Sequence, residues 1–195
     1  MPRQPDPFLE DQILDAAVGL LREGGDKALT IRAVAKAAHT TTPTIYRRFK
    51  NRQEIVRALL RRIQHEVLNV LETCHSPQEA SQRYVEFALT HPHEYDLSFA
   101  YEFELLYAGR RRGSLAARSR GPEGEFLKAK LTEWLGGSPE DYEHLALALW
   151  ALSHGTAMLI ISKTVRDHLS SELTRSCKAA VTVLVKNVSA FMAAK

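Results

Sequence analysis

Apolar positions recur along this chain at intervals of three and four residues over most of its length, and no stretch reads convincingly as a strand. That period puts a stripe on one side of an amphipathic helix. Ile13, Leu14, Ala17, Val18 and Leu21 mark a first helix, opened by Asp6-Pro7 as cap and N1 proline and stopped by Gly24-Gly25. Ile31, Val34, Ala35 and Ala38 mark a second, with Thr30 as its N-cap. After the interruption His39-Thr40-Thr41, a short third helix starts near Thr42-Pro43 and turns Ile45 and Phe49 inward. Asn51-Arg52-Gln53-Glu54 is a capping box, with Asn51 as cap and Glu54 reaching back. The long helix behind it carries Ile55, Leu59, Ile63, Val67 and Val70/Leu71 to about Thr73.

The rest of the chain keeps the same period. Ser76-Pro77-Gln78-Glu79 opens a helix through Tyr84, Phe87, Ala88 and His91 that ends or bends at Pro92, and a short helix follows from about His93 to Tyr101 or beyond. Gly109 through Gly121, with Arg110-Arg111-Arg112, reads as a loop. Phe126, Leu127, Leu131 and Trp134 mark a helix from about Pro122 to Leu135, closed by Gly136-Gly137. Ser138-Pro139-Glu140-Asp141 caps a long, mostly apolar helix, and a last one begins near Ser170 or Ser171. The pattern predicts an all-α fold of about nine helices.

The stretch from Thr30 to Asn51 reads as two short helices joined by a tight turn, which is helix-turn-helix chemistry: the second helix enters the DNA major groove. Its outward face carries Thr42, Thr44, Tyr46, Arg47 and Arg48, with Lys50 just beyond. Hydroxyls, guanidinium forks and a phenol suit base edges and phosphates. The charge agrees. From Arg32 to Arg62 there are nine Lys or Arg against one acid, Glu54. The whole-chain net charge of +3 hides this asymmetry: residues 1–62 carry 12 basic and 7 acidic side chains, the remainder 14 and 16.

These residues also carry a resemblance. Leu29-Thr30-Ile31-Arg32, Val34-Ala35-Lys36-Ala37-Ala38, Pro43-Thr44-Ile45-Tyr46-Arg47-Arg48-Phe49-Lys50 and Asn51-Arg52-Gln53-Glu54 resemble the DNA-binding domain of the tetracycline-repressor (TetR) family of bacterial regulators. The resemblance is dense over residues 11–55. One position departs from it: His39 stands in the turn where the family usually has glycine, and histidine tolerates a positive φ better than most residues but less well than glycine. The expected DNA-binding set is Thr30, Arg32, Thr41, Thr42, Pro43, Thr44, Tyr46, Arg47, Arg48 and Lys50. Arg32, Thr42 and Thr44 are candidates for base edges, Pro43 for apolar contact, and Tyr46, Lys50 and Thr30 for phosphates. Arg47 and Arg48 diverge by about 100° on a helix, so only one points well into the groove.

The last two long helices expose more apolar surface than one small body can cover, and a second subunit is the simplest cover. A homodimer through about 141–165 and 171–193 is expected, with Val181 and Val185 in its interface. Arg83-Tyr84-Val85-Glu86-Phe87-Ala88-Leu89-Thr90-His91-Pro92-His93-Glu94-Tyr95, followed by Trp150-Ala151-Leu152-Ser153-His154-Gly155, resembles the TetR-like C-terminal domain type that carries a Trp-x-x-x-His-Gly motif. That resemblance implies a four-helix dimer interface and a ligand cavity among the preceding helices. The chain is thus expected to divide into a DNA-binding domain, 1–50, and a ligand-binding and dimerisation domain, 51–195. The unbroken helix from Asn51 is the expected lever between them.

The aromatic residues are core by default at helical spacing, yet they can also line a cavity for a small hydrophobic, partly aromatic effector. Tyr84, Phe87, Phe99, Phe103, Trp134, Trp150 and His154 are the candidates. The alternative is a DNA-binding dimer whose C-terminal domain takes no small ligand and serves only dimerisation or a protein partner. Eight histidines invite a metal reading, but there is no helical His-x-x-x-His or Cys-x-x-Cys pair, and no cofactor is expected. An enzyme is not expected either: Gly-x-Ser-x-Gly and a Gly-rich phosphate loop are both missing. Two cysteines, Cys74 and Cys177, are too few for a disulfide framework and fit a reducing cytoplasm. No uninterrupted apolar run of about 18 residues is expected to span a membrane. MPRQPDPF lacks a signal-peptide core and reads as a short disordered arm.

Overall fold

A computed structural model describes residues 8–105 and 122–192. Among them the chain forms ten α-helices and no strand: α1 Leu9–Gly24, α2 Ile31–Ala37, α3 Thr42–Arg48, α4 Arg52–Glu72, α5 Pro77–Thr90, α6 Pro92–Leu105, α7 Pro122–Leu135, α8 Glu143–Ile161, α9 Ser170–Lys186 and α10 Val188–Met192. The tenth arises because the last helix breaks at Asn187, whose amide side chain donates to its own Val183 carbonyl at 2.8 Å. The Asp6-Pro7 cap and the arginine run 110–112 lie outside the described residues.

The described residues group into two compact units, one within Met1–Gln64 and His91–Gly109, the other within His65–Thr90 and Arg110–Lys195. The first is therefore discontinuous in sequence. Its core is the expected stripe of α1 (Ile13, Leu14, Ala17, Leu21) against Leu29, Val34, Ala35, Ile45, Phe49 and, on α4, Ile55, Val56, Leu59, Leu60 and Ile63. Gly25 ends α1 at φ 64°, with its N–H on the Leu21 carbonyl at 2.8 Å, a conformation open to glycine at no steric penalty. Helix α6 packs on α1 and buries Glu94, Tyr95 and Leu97.

Three capping sites work as their spacing suggests, with one difference in detail. Asn51 Oδ1 accepts from the Glu54 N–H at 3.0 Å, and Ser76 Oγ from the Glu79 N–H at 3.2 Å. The returning carboxylates reach one residue further back than a standard box, accepting from the Lys50 N–H (2.7 Å) and the His75 N–H (2.9 Å). At Ser138 the box is regular, with Asp141 Oδ2 accepting from the Ser138 N–H at 3.0 Å, but it opens a 3-10 turn, Pro139–Tyr142, ahead of α8.

In the second unit α5, α8 and α9 pack on one another. Leu131, Tyr142, Leu145, Ala146, Leu149, Cys177 and Val181 form its main cluster. Buried hydroxyls pin the crossing: Ser81 Oγ and Ser153 Oγ lie 2.6 Å apart, Ser153 also donates to the Leu149 carbonyl, and Cys177 Sγ lies 3.9 Å from Ser81. Two expectations are corrected here. Val181 is fully buried within the chain, so it is not a surface position waiting for a second copy, whereas Val185 packs against the same cluster and stays half-buried. The outward apolar residues are Leu159 on α8 and Val183 on α9, 40% and 58% exposed. Secondly, Pro139–Ile161 is by length and composition apolar enough to cross a membrane, since residues 144–161 hold no Asp, Glu, Lys or Arg. Its Leu145, Ala146, Leu149, Ser153, Thr156 and Ala157 are buried within the unit.

Candidate DNA-binding face

The face is built by the turn between α2 and α3. Thr30 sits in extended backbone and its Oγ1 accepts from the Ala33 N–H at 3.1 Å, the expected N-cap. Val34 and Ala35 are buried, so Arg32 and Lys36 stand outward. After α2 the His39 N–H bonds the Lys36 carbonyl at 3.2 Å and the Thr40 N–H bonds the Ala35 carbonyl at 2.9 Å. This is a Schellman closure, and it needs a left-handed residue at its centre. His39 fills that place at φ 50°.

Helix α3 starts one residue earlier than its spacing suggests. Thr41 is the N-cap, Thr42 is N1 and Pro43 is N2, still inside the first turn where a missing N–H leaves no helical bond unmade. The Thr41 hydroxyl does not cap the backbone. It bonds the Thr44 hydroxyl at 3.0 Å, and Thr44 Oγ1 accepts from Arg47 Nη2 at 2.9 Å. Ile45 and Phe49 are buried and hold the helix on the core. Thr41, Pro43, Tyr46, Arg47, Arg48 and Lys50 are exposed, Tyr46 to 55%, while Thr42 and Thr44 are half-buried. The structure thus brings the ten expected residues onto α2, α3 and the segments that flank them.

Arg52 is the residue that sequence reasoning left uninterpreted. Given no role of its own there beyond a positive charge within the Asn51–Glu54 motif, it is a strut. Its Nε donates to the Leu29 carbonyl at 2.8 Å and its Nη2 to the Asp26 carbonyl at 3.0 Å and to the Asp26 carboxylate. The other Asp26 oxygen accepts from the Tyr101 phenol at 2.9 Å, and the Arg52 guanidinium lies 5.9 Å from the Tyr101 ring centroid. Burial pulls the Arg52 pKa down, but hydrogen bonds with Tyr101 and Asp26 and the Asp26 charge outweigh it, and the net shift is upward. Arg62 is likewise paired, with Asp15 at 2.6 Å. Part of the basic run therefore braces the first unit instead of facing a polyanion. No local spacing announces these pairs, because their acids lie 26 and 47 residues away.

The candidate effector residues separate into groups. Tyr84 and Trp134 pack, with Phe126 and Val67, around the small cluster of Leu71, Cys74 and Ala80. Trp150 and His154 stack one helical turn apart on α8, ring centroids 5.1 Å apart and planes 15° from parallel. Phe87 is buried. Phe99 belongs to the first unit and is 44% exposed on α6. Of Phe103 only the backbone is described.

Residues 13–59 match the family described as bacterial regulatory proteins, tetR family, and residues 78–184 match the tetracyclin repressor-like C-terminal domain. The HTH-type transcriptional regulator YvkB of Bacillus subtilis (strain 168) is 47% identical over 49 residues. That stretch spans 25% of this chain and 26% of YvkB. A TetR-family transcriptional regulator from Streptomyces coelicolor has a similar fold, with TM-score 0.59 and 20% identity over 92% of this chain and 99% of its own. So does the multidrug binding protein EbrR, solved in complex with imidazole, with TM-score 0.61 and 23% identity over 94% and 93%. With both halves of the chain matched, and an exposed hydroxyl and guanidinium face on the second helix of a helix-turn-helix, this protein belongs to the tetR family of bacterial DNA-binding transcriptional regulators.

Proposed function

We propose that this chain is a ligand-responsive repressor that binds a palindromic operator as a homodimer and is released from it by a small hydrophobic molecule. The observation that carries the DNA side is α3: two apolar residues seated on the core and a polar, cationic face left to solvent. In this reading Arg32, Thr42 and Thr44 meet base edges, Pro43 makes apolar contact, and Thr30, Thr41, Tyr46, Arg48 and Lys50 hold phosphates. Leu159 on α8 and Val183 on α9 are exposed large apolar side chains that association through these two helices would cover. A two-fold dimer sets two recognition helices roughly 34–36 Å apart, one turn of DNA. Action on DNA places the protein in the cytoplasm.

The effector reading draws support from Tyr84 and Trp134 sharing one cluster, and from the similar fold of a protein described as multidrug binding. The unbroken α4 is the proposed carrier of its signal. The second reading is a dimer without a small ligand, whose C-terminal domain serves only dimerisation or a protein partner. One experiment addresses both. Footprinting and salt titration of DNA binding, followed by a thermal-shift screen of hydrophobic aromatic compounds, tests binding and ligand response in turn. A footprint without two-fold symmetry removes the operator reading. Hits whose affinity is unchanged by operator DNA favour the second reading, because coupling between sites is reciprocal.

A further inference from the structure

The hydrogen-bond chain on α3 decides between the two adjacent arginines. Arg47 and Thr44 are three apart and share a face of the helix, and the guanidinium Nη2 donates to Thr44 Oγ1 at 2.9 Å. Thr44 in turn bonds Thr41 Oγ1 at 3.0 Å. Side chains on a helix lean toward its N-terminus, and this chain of bonds draws Arg47 along the same direction, to the first turn of α3. The first turn of a recognition helix is the part that reaches base edges. One of the five guanidinium N–H donors is spent on Thr44, which leaves a donor pair for a planar acceptor. Arg48 leaves the helix about 100° further round.

We propose that Thr44 is a positioning residue for specificity: it aims Arg47, not Arg48, at the O6 and N7 acceptors of one guanine in each half-site. This rests on α3 lying in the major groove, and it replaces a direct base contact by Thr44 with an indirect one. Guanine presents two acceptors side by side in that groove, and an arginine fork meets both. Without the Thr44 hydroxyl the same guanidinium is free to swing to a phosphate, where it adds affinity but no sequence information.

The test selects sequences from a pool of duplexes with randomised half-sites, using the full chain and four variants, and measures the salt dependence of each. The full chain enriches guanine at one position per half-site. Arg47→Ala loses that preference, a change of about 5- to 150-fold between guanine and the other bases. Thr44→Val weakens the same preference and steepens the salt slope by up to about one phosphate contact, and Thr44→Ser, which keeps the hydroxyl, restores both. Retention of the guanine preference in Thr44→Val, or its loss in Arg48→Ala with Arg47→Ala unaffected, would overturn the proposal. If the full chain itself enriches no sequence and shows no salt-dependent binding, the underlying groove placement fails, an outcome distinct from the other two.

Discussion

Arg22 on α1 and Glu94 on α6 are 72 residues apart, yet Arg22 Nε donates to Glu94 Oε1 at 2.5 Å. The two ends are unequal: the Glu94 side chain is 3% exposed and that of Arg22 54%. The carboxylate is thus buried with its charge answered from the protein surface. Removing the arginine leaves that charge unpaired in the interior, whereas neutralising the carboxylate removes both the charge and the need for an answer. Arg22→Ala is therefore expected to destabilise by on the order of 3 kcal/mol and Glu94→Gln by clearly less. Urea unfolding of the two variants measures the difference, and equal losses would show that the pair acts only as a hydrogen bond.

Tyr101 is the removable end of the Asp26–Arg52 brace. Tyr101→Phe deletes one phenol bond to Asp26 and keeps the ring beside Arg52, so it is expected to lower stability by about 1 kcal/mol. Arg52→Ala strips the Leu29 and Asp26 carbonyls and the Asp26 carboxylate of a donor together, and should lower it by two to three times as much, about 2–3 kcal/mol. Chemical denaturation measured on the full chain checks the order. A Tyr101→Phe loss as large as that of Arg52→Ala would mean the ring is held by the phenol alone.

His39 occupies a left-handed backbone position at φ 50°. A non-glycine residue there bears a steric penalty of roughly 1–2 kcal/mol, partly offset by the extra freedom glycine has in the unfolded chain. His39→Gly should stabilise by up to about 1 kcal/mol and leave DNA affinity unchanged. His39→Val, with a branched Cβ, should destabilise by at least as much. Thermal melts of the two variants give the sign directly, and a less stable glycine variant would show that the imidazole itself makes a stabilising contact.

Association and folding are separable on α9. Val183→Asp alters an outward residue and should keep the helical circular dichroism while shifting the chain to monomer in sedimentation. Val181→Asp puts a charge into the fully buried cluster with Leu145 and Leu149 and should unfold the second unit, by several kcal/mol. If Val183→Asp and Leu159→Asp leave the sedimentation behaviour untouched, association through α8 and α9 is wrong.

Much of this architecture was legible in the residue pattern, because helix ends and faces are local. Pro122 to Leu135 is bounded by proline at one end and paired glycines at the other, and those are its observed limits. Thr30, Asn51, Ser76 and Ser138 cap because the bond each makes spans three residues. His39 takes the positive φ because the turn requires one, whichever residue stands there. What the pattern could not give were relations between distant residues. Stripe periodicity shows that Val181 and Val183 differ in environment, but not which faces its own chain; packing of α9 on α5 and α8 decided that. Likewise Arg52 and Lys50 are both cations near the recognition helix, and only the approach of Asp26 and Tyr101 in space turned the first into a brace while the second stayed exposed. The membership of α6 in the first unit has the same origin: Glu94 and Tyr101 find Arg22, Asp26 and Arg52 through the fold, and no spacing along the chain encodes the meeting.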